Sequence, residues 1–381
     1  MYSRRYGAAL EIAYAPESGV WWCTAAMEEL AVPEDMTSRE RWLAVLSREK
    51  PDRIPMDYWA TPEATDRLCR HLGCDFEEAQ RRLHLDIPCT VSPRYVGPPL
   101  PDHTDVFGVR TRPVAYGMGV YWEAENHPLA GFTSVAEIEA NYAWPNPDWW
   151  DYSHLPEDIR GKEDRIIRGG GSEPMLTYKQ LRGEAQAFMD LLANPEMVHY
   201  CLEKLFDLAY QNTLRIFETI PGTVSITYVA EDLGGQTGLM YSPEQIHEYL
   251  LPRMKRMMDL TRQHGSHVFV HSDGAVRDII PPLIDIGMEV LNPIQWVCPG
   301  MEREGLKRDF GDRIIFHGAV DNQRTLPFGT VEDVRREVED NIRILGADGG
   351  YILCPCHNIQ AVTPPENIVA MYEAGLALGR C

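Results

Sequence analysis

The chain has 381 residues, 44% hydrophobic and 24% charged, which is ample to bury a large core in one or two domains of ordinary globular composition. Its 57 Asp and Glu outnumber 36 Lys and Arg, giving a formal net charge of −21 that argues against nucleic acid or an anionic membrane as partner. The 9 cysteines include no CxxC pair, and no run of about 18 apolar residues occurs, so free thiols, a reducing cytoplasm, no signal peptide and no membrane span are expected.

Residues 1–36 lack a clear period and read as an N-terminal extension, weakly ordered or docked. Folding is expected from residue 37, where TSRERWLAVL offers a capping box (Thr37, Glu40) ahead of an apolar helical stripe. IPMDYW then reads as a first strand, a helical stretch runs to about Leu83, and LHLDIPCTV reads as a second strand. Proline, glycine and aromatics crowd residues 93–160, predicting hairpins and loops over one mouth of the domain. From Met175 the pattern becomes regular. MLTYKQLRG reads as a strand entering a turn, and Asn194 and Pro195 open a long amphipathic helix. TVSITYVAEDLG, SHVFVHSD, EVLNPIQ, RIIFHGAVD and GYILCPCHN follow as strands, each separated from the next by a helical segment. Regular strand–helix alternation predicts a parallel sheet, and about eight strands favour a (β/α)8 TIM barrel over 37–381, with an N-terminal helical extension and the 93–160 insertion. No GxGxxG turn follows a first strand, which sets aside dinucleotide binding.

Polar residues collect at the expected strand exits: Asp57, Asp86, Glu231, Asp232, His271, Asp273, Asn292, Gln295, His317, Asp321, Cys354, Cys356, His357 and Asn358. A barrel gathers all such exits at one mouth. Side chains two apart on a strand share a face, so His271 and Asp273 read as half of a metal site, or as a buried histidine beside an N-cap. His271, Asp273 and His357 would complete three ligands for zinc or another divalent ion, with Glu231, Cys354 or Cys356 as replacements.

The segments TSRERWLAVLSREKPDRIP, LRGEAQAFMDLLANPEMV, EDLGGQTGLMYSPEQ, HSDG, FHGAVDNQRTLPFGT and GGYILCPCHNIQAVTPPENI resemble the uroporphyrinogen decarboxylase (URO-D) superfamily, from about residue 37 to the C-terminus. They look closer to its corrinoid-dependent methyltransferases than to the decarboxylases of haem synthesis. The resemblance implies a (β/α)8 barrel and methyl transfer between methylcobalamin and a zinc-bound thiolate held by His-x-Cys and a later Cys. His271 stands at the family's histidine, Asp273 at its first cysteine and His357 near its second, a harder ligand set and a stronger Lewis acid.

The expected function is therefore metal-dependent methyl transfer between a small methylated substrate, or another acceptor, and a corrinoid protein. Glu231 or Asp232 would handle the proton, while Asp57, Asn292, Gln295, His317, Asp321 and Asn358 would contact substrate. The corrinoid is expected on a partner protein, because the chain has no DxHxxG; a homodimer is left open. The alternatives are decarboxylation of a porphyrinogen, for which Asp86 could stand at the decarboxylases' aspartate, and a barrel that binds metal or ligand without catalysis. Against the decarboxylase, the turn after the first strand offers only Arg67 where that family is arginine-rich.

Overall fold

Seven strands form one parallel sheet: β1 Cys89–Val91, β2 Ile167–Ser172, β3 Ile226–Ala230, β4 His267–His271, β5 Val290–Asn292, β6 Ile315–Val320 and β7 Tyr351–Pro355. They belong to a computed structural model that describes residues 35–381 and, before them, only the backbone of a small antiparallel pair, Ala13–Tyr14 with Trp21–Trp22. The chain divides into Met1–Asp35 and Met36–Cys381. The expectation for the N-terminal extension thus falls almost wholly outside the described residues.

Each strand pairs with the next in chain order, so all C-terminal ends face one way and the sheet curls into a half-barrel clad in helices. IPMDYW, expected as a further strand, lies at the open seam as extended chain. Met56 bridges Leu353 and Ala60 bridges Ile359 in parallel, while the Asp86 N–H donates to the Met56 carbonyl at 2.7 Å. No continuous ladder closes this seam, contrary to the eight-strand expectation. Pro55 has no N–H to give, and the Tyr58 N–H turns onto the Asp57 side chain at 2.8 Å.

One segment is reassigned. MLTYKQLRG is helix, within Pro174–Arg182, with Pro174 at its first position. The strand precedes it as IRGGGS. Its three glycines form a bulge, where the β2–β3 register slips between Arg168 and Gly171.

Two apolar layers flank the sheet. Inside, Trp42, Val45 and Leu46, spaced along one helical face of Ser38–Leu46, pack with Ile166, Ile226, Phe269, Val290, Ile315 and Ile352 and plug the N-terminal end. The Thr37–Glu40 capping box that starts this helix is formed, as is a second one at Ser242 and Gln245. Outside, a larger cluster packs the strands against the surrounding helices. Between β1 and β2 the chain makes the hairpin Thr111–Ala115 with Val120–Ala124, the pair Arg94–Tyr95 with Trp150–Asp151, and the helix Val135–Asn141.

Candidate functional site

Inward-facing positions of successive strands become polar toward the C-terminal end: Tyr228 on β3, His271 on β4, Asn292 on β5, His317 on β6 and Cys354 on β7, with Asp57 and Trp59 on the seam, while Arg168, near the start of β2, reaches over the Tyr228 ring. A chain of hydrogen bonds runs among them. With its carbonyl toward β4, Asn292 accepts from His271 Nδ1 at 2.6 Å, and its amide donates to His317 Nδ1 at 2.7 Å. His317 Nε2 then donates to Asp57 Oδ2 at 3.1 Å. Asp57 also accepts from Trp59 Nε1 at 2.9 Å. Because an amide has one donor and one acceptor end, this order makes His317 accept at Nδ1 and His271 donate there, so a neutral His271 presents its Nε2 lone pair. Burial pushes the His317 imidazole below its ordinary value, which keeps it neutral within the chain.

The bare nitrogen faces carboxylates. Asp232 Oδ1 lies 3.9 Å from His271 Nε2, and one ligand atom from each of Asp232, His271 and Asp273 falls within 4.8 Å of the others. Asp232 Oδ1 and Asp273 Oδ1 are both buried without a hydrogen-bond donor. Two orphaned carboxylate oxygens beside an imidazole lone pair are costly unless a cation or proton meets them, so these residues fit a divalent ion bound through nitrogen and oxygen. Burial raises the Asp273 carboxyl, with the nearby Asp232 charge adding to it while His271 and His357 oppose it. A second cluster, Asp57, His317 and Cys354, is equally tight but differs in kind. Its oxygens and ring nitrogens are already engaged in the relay, and burial pushes the Cys354 thiol well up. That cluster supports the first.

The remaining sequence expectations divide. His357 sits at the rim, its Nε2 3.9 Å from Asp273 Oδ2. Asn358 lines the adjoining cavity. Gln295 accepts the Gly274 N–H at 2.6 Å and so fixes the turn that carries Asp273. Cys356 lies outside the cluster: its thiol meets the Ile294 carbonyl at 3.2 Å, and burial keeps it protonated. Glu231 faces away from the mouth, because neighbours on an extended chain point oppositely. Both of its oxygens accept the Met175 N–H, at 3.2 and 3.3 Å, at the start of helix Pro174–Arg182. Asp321 shapes a turn by accepting the Gln323 N–H at 2.8 Å. Asp86 lies at the entrance of β1, bound by Arg41 and Arg53 at 2.7 and 2.6 Å in the closed end.

A cavity of about 850 Å³ opens beside the cluster, walled by aromatic and aliphatic side chains from the sheet, helix Pro195–Thr219 and the insertion. Two titratable groups in it escaped sequence reasoning. Glu173 follows the glycine bulge, and burial together with the Asp232 charge pushes its carboxyl up to about 7. Arg168 lies just before the bulge. A strand assignment for IRGGGS would place Glu173 at its exit and Arg168 near its start, on the face of the plug residue Ile226.

Comparison with known proteins supplies the context. Residues 166–376 match the family model described as uroporphyrinogen decarboxylase (URO-D). The uroporphyrinogen decarboxylase of Pseudoalteromonas translucida strain TAC 125 is 24% identical over 370 residues, 88% of this chain and 96% of that protein. That of Legionella pneumophila strain Corby is 23% identical over 357 residues, covering 87% and 95%. The structure of a methyltransferase from Methanosarcina mazei shares the fold with a TM-score of 0.65 at 20% identity, over 90% of this chain and 99% of that one.

Proposed function

The chain belongs to the uroporphyrinogen decarboxylase (URO-D) family, and on that premise we propose that it is a metal-dependent methyltransferase acting between a small substrate and a corrinoid on a separate protein. In this reading residues 54–60 are the eighth stave of a (β/α)8 barrel whose N-terminal end is plugged by helix Ser38–Leu46. The observation that carries the reading is the Asp232, His271 and Asp273 cluster with its two donorless oxygens.

Those three residues, with His357 at the rim, would hold zinc or another divalent ion, which supplies Lewis acidity toward a substrate heteroatom when bound. Asn292, His317 and Asp57 keep His271 in the tautomer that presents Nε2. Glu173 handles the proton: as the bond between heteroatom and methyl carbon breaks, the methyl passes to the reduced cobalt of the co-substrate, and Glu173 protonates the heteroatom left behind. Burial raises this carboxyl above the ordinary range, which suits it to hold and give that proton. Tyr121 and Trp122, exposed on the hairpin of the insertion, suit the rim on which a corrinoid protein would dock.

Porphyrinogen decarboxylation is the second reading, favoured by the names of the relatives. Against it, Asp86 is enclosed by arginines in the closed end, and the cavity wall presents a single arginine to a substrate that is a polycarboxylate. Incubating the zinc-loaded chain with cob(I)alamin and methylated ethers, amines or alcohols, followed by absorbance, tests the choice. Growth of the methylcobalamin spectrum is the expected result. Carbon dioxide release from uroporphyrinogen with no corrinoid response would reverse the ranking.

A further inference from the structure

Arg168 stands on β2, facing the interior of the sheet and lining the cavity. Its guanidinium has modest partners: Nε donates to Thr90 Oγ1 at 3.1 Å, and its carbon lies 5.9 Å from the centroid of the Tyr228 ring. No described carboxylate lies within ion-pair distance of it. The contrast with Arg182 is direct, since that side chain is buried against Asp190 at 2.7 Å. An arginine stays charged at any working pH, and its planar fork suits a two-oxygen anion.

The surroundings leave room for such an anion. Gly169, Gly170 and Gly171 line the cavity immediately after Arg168. A Cβ on Gly171 would meet the Tyr228 carbonyl oxygen at 1.9 Å, and φ there is +130°, so this stretch of wall is confined to backbone. Beyond the glycines one wall is apolar, with Trp59, Phe107, Trp150 and Leu205, while Glu173, Asn212 and Asn358 bring polar groups to the rest; burial raises the Glu173 carboxyl, which favours its uncharged form beside an anion. Tyr228 lies on the strand between Arg168 and His271, with the His271 ring 5.4 Å from its own. The guanidinium and the metal-ready cluster are thus separated by about one aromatic ring and its contacts.

We propose that the cavity takes a small molecule with an apolar, ring-sized body and a single oxyanion head, and that Arg168 binds the head. As the identity of the transferase substrate this rests on the function proposed above; as a binding property of the cavity it stands apart from metal and corrinoid. The full chain is therefore titrated calorimetrically after chelator treatment, with benzoate, benzenesulfonate and phenyl phosphate as anionic probes and benzyl alcohol as the uncharged control. Charge-assisted hydrogen bonds of this kind are expected to favour at least one anion over the alcohol by about 10- to 100-fold, and the preferred head separates carboxylate from sulfonate and phosphate. Arg168→Gln should abolish the preference. Arg168→Lys, which keeps the charge without the fork, should retain part of it, and the melting temperature of each variant reports whether it folds. Equal affinity for benzyl alcohol and the anions, absence of saturable anion binding, or an unchanged preference in Arg168→Gln would overturn the proposal. Failure of the zinc-loaded protein to transfer methyl, with anion preference intact, would instead overturn only the transferase reading.

Discussion

Buried charge is present at both ends of the parallel sheet, but in different states of satisfaction. At the N-terminal end Arg41 reaches Asp52 and Asp86 at 2.7 Å each, Arg53 reaches Asp86 at 2.6 Å, and the Met56 N–H takes the same carboxylate at 2.9 Å. At the C-terminal end Asp232 and Asp273 each keep a buried oxygen with no donor, and the His271 lone pair is bare. A satisfied network fixes chain segments to one another, whereas an unsatisfied one stores free energy that a bound cation or a proton releases. Both ends contain aspartates beside strands, so residue type alone does not distinguish structure from function. The count of donors around each oxygen does.

The largest expected effect lies at the closed end. Asp86→Ala leaves two buried guanidinium groups facing an empty position and should destabilise the fold by about 3–5 kcal/mol, measured by denaturant unfolding. At the mouth the same kind of change should behave oppositely. Asp232→Asn with Asp273→Asn removes two like charges that lack donors, so the chelator-treated protein should change by less than about 1 kcal/mol or gain stability, while stabilisation by added zinc disappears in a thermal melt. A large loss there would show that the aspartates are structural and that the two ends do not differ.

A smaller effect is expected one step back from the cluster. Asn292→Ala frees the His271 tautomer and should weaken zinc affinity by about 10- to 100-fold in a competition titration, with little change in melting temperature. The smallest effect is on pH dependence, and its sign separates the ends. Asp52 is held below the usual carboxylate range, because the Arg41 ion pair outweighs burial, so its stabilising contribution is present above about 4 and is lost as pH falls through the lowered value. Glu173 is raised to about 7, so its contribution is full below about 4.5 and is lost as pH rises toward 7. Glu173→Gln should therefore stabilise the chelator-treated chain at pH 8 relative to wild type and leave it unchanged at pH 5.

The sequence is most informative where a strand is apolar and β-branched. VFV, IIF and YIL announce β4, β6 and β7, and alternation from His271 places Asp273 beside it at the mouth. Legibility fails for identifiable physical reasons. IRGGGS carries no apolar β-branched run, because the bulge there is built of glycine, so the sequence does not announce this strand or its neighbours Arg168 and Glu173 on the cavity wall. Glu231 and Asp232 are adjacent, so sequence alone does not say which one faces inward; the Met175 N–H shows that Glu231 faces the helix. LHLDIPCTV suggests an exit position for Asp86, but the strand Cys89–Val91 begins only after it, because the Asp86 carboxylate is tied to Arg41 and Arg53 at the closed end. In FHGAV and LCPC the polar residues are legible as candidates, but the direction of each hydrogen bond in the relay emerges only once Asn292 stands between two imidazoles.

Calorimetric titration of the full-length, chelator-treated chain with zinc tests the central claim most directly, with His271→Ala as the paired variant. About one saturable equivalent in the wild type, lost in His271→Ala with the melting temperature of the metal-free variant preserved, is the expected result. No saturable binding in the wild type, or equal binding in both proteins, would contradict the assignment of the open end as a metal centre.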